Sequence, residues 1–379
     1  MTGRERIEAA LSGDGAREIA AVICYEHLYI RDHWDELTPL PWWYQHAPDV
    51  ARQVAWRRQV MPRIGQDWLE VPVCRPAAER QYLDIEERAH GVFLVDRRSQ
   101  REQRLARPRV SGWTGTEQVA SLHPASLAES AEEVDAWLSS QAAQGLQTSI
   151  ADGSGDLAAR LLQGFADLYP VHIVESPLWR LYYLWGFEGL MTMVGSRPDL
   201  VAYACRGALD LSIAEARRAA LMGAAGIWIE ECLTDMISPQ AFATLNAPFV
   251  ADLVRAIRAD GMHAIYYFCG NPAGKWDQIM AAGADALSLE ESKKGFVLDI
   301  ADIVARVQGR CTVLGNLDAL VLLERGSEAE LRAEIARQIA AGRRNGSRFI
   351  MSLGSPATPG TTAERVRLYC DLVHELGSG

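Results

Sequence analysis

Two cysteines and a set of carboxylates stand where short apolar runs stop. Cys269 follows the run HAIYYF (263–268) and precedes a Gly270-Asn271-Pro272 turn, and Cys232 follows Glu230 and Glu231 at the end of AGIWIE (225–230). A thiolate pair with one carboxylate is an acceptable ligand set for Zn²⁺ that leaves a fourth position for substrate. The alternative is packing, because a free cysteine is among the most buried residue types; the turn after Cys269 favours a functional role. His27 can supply a nitrogen ligand or act as a general base, or it can be a hydrogen-bonded structural residue.

Other polar residues end similar runs: Tyr25-Glu26-His27, Asp67, Glu175-Ser176, Glu290-Glu291, Asn316 with Asp318, and Ser352 with Ser355. Several acids on one rim repel and raise one another's pKa unless a cation balances them, which favours a metal or a cationic ligand. The competing reading is that half of them point outward and are solvated.

These residues converge only if the runs are strands of one barrel. Eight runs qualify: IAAVICY (19–25), 67–73, 170–175, 225–230, 263–268, 285–289, 311–315 and 347–351. The later ones are almost continuously apolar and followed by helical patterns, as parallel strands covered on both faces should be. Residues 198–223, 238–261 and 327–342 show helical periodicity and end on glycine. Thr2 with Glu5 has capping-box spacing and predicts a first helix over 3–12. Eight strand–helix units predict a (β/α)8 barrel, whose functional groups sit at the C-terminal ends of the strands; a doubly wound open sheet is the alternative. Residues 80–110 alternate polar and apolar around His90-Gly91 and predict an inserted antiparallel ribbon. The pattern at 126–141 predicts a helix returning the chain to the main body. No Pro-, Gly- or Ser-rich linker interrupts residues 1–379, so a single domain is expected.

The 379 residues carry 38 Lys+Arg against 49 Asp+Glu, a formal charge of -11, and no basic block beyond 97–104. This argues against a nucleic-acid partner. No run approaches the roughly 18 apolar residues of a membrane span, and the charged N-terminus does not read as a signal peptide. Seven scattered cysteines without C-x-x-C spacing suggest reduced thiols in a cytoplasm. Neither a G-x-S-x-G elbow nor a phosphate-binding loop is present.

Taken in order along the chain, TGRERIEAALSG (2–13), HGVFLVDRRS (90–99), ASLAESAEEVDAW (125–137), SPLWRLYYLWGFEGLMTMVGSRPDLV (176–201), GAAGIWIEECLTDMISPQAF (223–242), VLGNLDALVLLERGSEAEL (313–331) and GSPATPGTTAERVR (354–367) form a pattern. It resembles the uroporphyrinogen decarboxylase superfamily, and within it the methyltransferases that serve corrinoid proteins and thiols such as coenzyme M. The decarboxylases proper carry an arginine-bearing RQAGRY loop after the first strand, where this chain has YEHLYIR with Glu26 and His27. An acidic loop repels a polycarboxylate, so haem-pathway decarboxylation is not expected.

The zinc methyltransferases of the superfamily are similar in using H-x-C and G-C-G-I-P-P motifs. Here the first reads Tyr267-Phe268-Cys269 and the second Gly354-Ser355-Pro356, so one of three ligands is kept. The related cobalamin-independent methionine synthases use a glutamate at the position of Glu290. The resemblance therefore implies Cys269, Glu290 and Cys232 or Glu231 as a rearranged zinc set, with Tyr267 as a hydrogen-bond donor or acid.

The activity it implies is transfer of a methyl group between a corrinoid protein or methylated small molecule and a small acceptor, a thiol for example. With zinc, the metal lowers a thiol's pKa. Without it, the carboxylates bind a cationic donor such as a betaine, with Trp179, Tyr183 and Trp228 adding cation–π attraction unless they are core. Glu26, His27, Asp67 and Tyr267 are the catalytic candidates, and Tyr25, Asn271, Asn316, Asp318 and Ser355 join the three aromatics as substrate-binding candidates. A lyase or decarboxylase of a non-porphyrin substrate, with Asp67 and His27 as acid and base, is a second reading. A non-catalytic corrinoid- or tetrapyrrole-binding module is a third. A corrinoid protein is the expected partner, and a homodimer is compatible with all three.

Overall fold

The computed structural model describes residues 1–107, 122–145, 150–293 and 295–378. Numbered along the chain, its strands are β1 (Ala20–Val22), β2 (Trp68–Glu70), β3 (Leu83–Arg88), β4 (Gly91–Asp96), β5 (Arg101–Leu105), β6 (Tyr169–Glu175), β7 (Gly226–Glu231), β8 (His263–Phe268), β9 (Ala286–Leu289), β10 (Thr312–Leu314) and β11 (Phe349–Ser352). Eight of them form one sheet in the order β1-β11-β10-β9-β8-β7-β6-β2. Every pairing in it is parallel. With helices between successive strands, this is the expected (β/α)8 barrel rather than an open sheet.

Side chains join the two ends of that sheet. Asp67 donates its N–H to the Ala21 carbonyl (2.8 Å) and accepts the Ala21 N–H on Oδ2 (2.7 Å), while Gln66 Oε1 accepts the Ile23 N–H (3.0 Å). The Asp67 carboxylate also accepts from Arg6 Nη1 (3.0 Å) and His374 Nε2 (2.8 Å). It thereby ties the first helix, Gly3–Leu11, and the last, Ala363–Gly377, to the seam. Asp67 was expected at the mouth, and this is corrected: β2 begins at Trp68, so Asp67 lies at the opposite, N-terminal end.

Alternation along the strands sorts the side chains. Trp68, Trp228, Tyr267 and Tyr25 meet inside the barrel, with Trp228 stacked on Tyr267 at 5.0 Å between centroids and edge-on to Trp68 at 5.3 Å. Tyr266 and Phe268 point the other way, toward Asn246 and Phe242 of the helical layer.

The first helix carries the capping box expected of Thr2 and Glu5. The helix expected over 238–261 is two, Pro239–Leu245 and Ala247–Ala259, broken at Asn246, whose side chain turns inward to Glu231. The helix Glu328–Arg343 runs through Gly342 instead of stopping there. A Cβ at Gly342 would come within 2.1 Å of the Phe349 ring, so that glycine is a packing contact, not a terminator. The helix expected at 126–141 runs Ala131–Gly145.

The expected ribbon is the three-stranded antiparallel sheet β3-β4-β5; residues 108–110 of the expected span lie outside the described residues. Its Ile85 and Val92 pack against Trp43 and Ala47 in a cluster separate from the barrel core. Among the described residues, no helix is long and apolar enough to cross a membrane.

Candidate functional site

The C-terminal ends of the barrel strands bring three groups of polar side chains together. The first stands over β1 and β2. Tyr25 adopts a left-handed conformation (φ 55°, ψ 47°) that turns the chain from β1 into the short helix Glu26–Asp32. Glu26 is thereby folded under the rim, where it accepts from Gln66 Nε2 and from the Glu70 N–H (3.3 Å). Burial, reinforced by the neighbouring Glu70, pushes the Glu26 carboxyl up to about 7. Glu70 goes the other way: despite burial, the hydrogen bond and charge of His27 hold it below its ordinary value. Burial opposes the charge of His27, but Glu70, 3.4 Å from its Nδ1, holds it above the ordinary imidazole value. Behind the two acids, burial lowers the Arg57 guanidinium to about 10, which leaves it cationic at neutral pH. Two adjacent carboxyls pushed apart in this way suit one as acid and the other as base.

The second group bridges β6 and β7. Glu175 and Glu230 are register partners on these strands. Tyr25 Oη donates to Glu230 (2.7 Å) and Tyr183 Oη to Glu175 (3.2 Å), while Arg180 pairs with Glu175 at 2.8 Å. Burial raises both carboxyls, with Arg180 opposing the rise at Glu175 and the Tyr25 hydrogen bond opposing it at Glu230. Trp179 stacks on Tyr182 (5.0 Å) on the helices that follow β6.

The third group lies across β7, β8 and β9. Cys232 and Cys269 come together at the ends of adjacent strands, and the hydrogen bond to Cys269, with burial, holds the Cys232 thiol well above its usual value. Tyr267 donates to the Gly354 carbonyl (3.3 Å); burial first, and then Cys269, raise its phenol. Beyond Cys269, Lys293 Nζ lies 2.6 Å from Glu290 and 3.7 Å from Glu291, and donates to Ser355 Oγ. Ser355 in turn donates to Glu291 (2.7 Å). Burial works against the Lys293 charge, yet Glu291 and then the hydrogen-bonded Glu290 hold its pKa above the ordinary value.

The zinc set drawn from the sequence does not assemble. Glu231 is fully buried on the outer side of β7, where its carboxylate accepts from Asn246 Nδ2 and from Tyr266 Oη (3.5 Å). Burial pushes it up to about 8, and its carboxyl is turned to the helical layer, away from the barrel interior. Glu290 engages the Lys293 ammonium. Among the described residues, no three His, Cys, Asp or Glu side chains are placed to hold a metal ion. The observed donors therefore do not fit Zn²⁺.

Three substrate-binding candidates make structural contacts. Asn271 is exposed and accepts the Ala273 N–H (3.0 Å), closing its own turn. Asp318 caps the helical turn Ala319–Glu324 through the N–H groups of Leu320 (2.9 Å) and Val321 (2.6 Å). Asn316 is buried and donates to the carbonyls of Glu290 (3.1 Å) and Leu298 (2.7 Å), so it ties these two residues together. Trp228 is barrel core as well as site floor. Glu70, Arg57 and Lys293 were not singled out from sequence. Glu70 is the acid at the true end of β2, and Lys293 stands three residues beyond Glu290; both were detectable by the same strand-end filter that selected the others.

A family model described as "Uroporphyrinogen decarboxylase (URO-D)" matches residues 169–376, more than half of the chain. The chain belongs to the uroporphyrinogen decarboxylase family. A uroporphyrinogen decarboxylase of Neisseria meningitidis serogroup C is 29% identical over 198 residues, 50% of this chain; the chain thus spans about half, 52%, of that relative's length. One from serogroup B is 26% identical over 279 residues, 62% of this chain and 75% of the relative. Among solved structures, a methyltransferase from Methanosarcina mazei superposes with a TM-score of 0.66 over 99% of each chain at 15% identity, a likeness of fold. Family membership fits the barrel and the order of its motifs. The matched residues begin at 169, downstream of the Glu26–His27–Glu70 group.

Proposed function

We propose that this family member is an enzyme that takes a methyl group from a cationic, methylated small molecule and passes it to a small nucleophilic acceptor or to a corrinoid protein. The observation that carries this reading is the Glu175–Glu230 pair. Glu175 and Glu230 stand in register across β6 and β7, edged by the Tyr25 and Tyr183 phenols; Arg180 offsets the charge of Glu175, and Glu230 is the negative end of an aromatic-walled seat at the barrel mouth. A quaternary ammonium binds such a seat by charge and by cation–π attraction.

In the reaction the nucleophile attacks the methyl carbon in line, the C–N bond breaks with its electron pair going to nitrogen, and a neutral tertiary amine leaves. The ammonium loses its charge on the way to the transition state. Glu175 and Glu230 therefore hold the ground state at least as well as the transition state, and their binding energy belongs in KM more than in kcat. A thiol acceptor must first lose a proton, and Glu70 with His27 is the base at the rim.

The test is transfer of isotope-labelled methyl groups from quaternary-ammonium donors to thiols or to reduced cobalamin by the full chain. Label in the acceptor, with Glu230→Gln raising KM more than it lowers kcat, is the expected outcome. Glu26 favours a second reading as a lyase or decarboxylase of a non-porphyrin substrate, since a carboxyl protonated near neutral pH can deliver that proton to a carbanion. Release of labelled CO₂ from carboxyl-labelled substrates, without methyl transfer to any acceptor, would decide for that reading and against the first.

A further inference from the structure

The acids beside β9 carry a counter-ion of their own. Glu290 and Glu291 are both nearly inaccessible, with side chains 4% and 8% exposed, and they follow each other in sequence. Two buried carboxylates this close need a positive charge between them. Lys293 supplies it, at 2.6 Å from one and 3.7 Å from the other. Ser355, arriving from the loop after β11, completes the cluster by accepting from the ammonium and donating to Glu291. Asn316 donates to the carbonyls of Glu290 and Leu298, on either side of the lysine in sequence.

We propose that the Lys293 ammonium is the resident cation of the barrel mouth and stands in the place a divalent metal would need, so that the working form of this protein is metal-free. An ammonium is a point charge with three N–H donors and no vacant coordination position. It offsets one of the two glutamate charges and engages Glu290 directly, which leaves no ligand set for Zn²⁺ to complete with Cys269 and Cys232. The thiol pair next to it then stays a pair of protein thiols, and any substrate anion entering here meets an N–H donor instead of a Lewis acid. The inference does not depend on which group the enzyme transfers.

Metal binding by the full chain, purified without chelator, tests it directly. Wild type is expected to carry far less than one Zn²⁺ per chain, and excess Zn²⁺ should leave its melting temperature unchanged, because a ligand that binds only the native state raises it. Lys293→Met removes the competing charge and is expected to tighten Co²⁺ binding by on the order of tenfold or more. A thiolate-to-cobalt absorption band should accompany that binding and disappear when Cys269→Ser is added. Lys293→Arg keeps the charge and is expected to behave as wild type. The proposal is overturned by stoichiometric zinc in the wild type that Cys269→Ser loses, by zinc-induced stabilisation of the wild type, or by Co²⁺ affinity that is the same in wild type and Lys293→Met. The wild-type measurements decide the matter even where the methionine variant fails to fold.

Discussion

At the scale of single residues, Glu230 and Glu231 are neighbours in sequence with opposite fates. Glu230 enters the mouth and meets Tyr25, while Glu231 is packed outside the strand against Asn246 and Tyr266. Its carboxyl sits at about 8 when folded against an ordinary 4.5. A raised carboxyl binds its proton more tightly in the native state than in the unfolded one. Its contribution to stability is therefore present below 4.5 and lost as pH rises from 4.5 through 8. Glu231→Gln removes the ionisation and keeps an oxygen for the Asn246 amide. The variant is expected to match wild type near pH 4.5 and to exceed it by about 2–4 kcal/mol at pH 8 and above. Chemical denaturation across that range checks it, and a difference that does not change with pH would show that burial of this carboxyl is not what separates the two proteins. Which of the two glutamates faces the site was not legible in the sequence, because side chains alternate with a period of two and a one-residue slip exchanges them.

At the scale of elements, the barrel was legible because its later strands are short, continuously apolar and each followed by a helical pattern. Strand ends were less so. Asp67 was counted among the strand-end acids although it opens the run read as 67–73; β2 spans Trp68–Glu70, and Asp67, just before it, holds the seam between β1 and β2. Glu70 then takes the place at the mouth that Asp67 was given. The seam has its own consequence: Asp67→Ala leaves the Ala21 N–H without its acceptor, reduces Arg6 to its pair with Glu18 and frees His374. Leaving a buried donor without its acceptor costs about 1–3 kcal/mol. The expected result is a fall in melting temperature, with KM for the donor preserved at temperatures where the variant is still folded. A loss of kcat at full stability would instead return Asp67 to the chemistry.

At the scale of the whole molecule, charge connects the surface to the site. The chain carries 49 acidic against 38 basic residues, and the mouth adds Glu70, Glu175 and Glu230, balanced in part by His27, Arg57 and Arg180. The sequence disclosed this excess of acid and even the need for a cation to balance it. It did not disclose that the balancing charge is an internal lysine, because Lys293 reaches Glu290 and Ser355 only after the loop is folded. The chain's formal charge of -11 should draw positive substrates toward it, since the summed charge of a protein sets the field around it and raises the on-rate of opposite charges. Salt shortens that reach, from a Debye length of about 30 Å at 0.01 M to about 8 Å at 0.15 M. For a quaternary-ammonium donor, kcat/KM is therefore expected to fall several-fold over that range of ionic strength, and for an uncharged methyl donor to stay nearly flat. Glu230→Gln should flatten the slope for the cationic donor while leaving the uncharged one unaffected. Equal salt slopes for both donors would mean that the carboxylates at the mouth are neutralised from within before any substrate arrives.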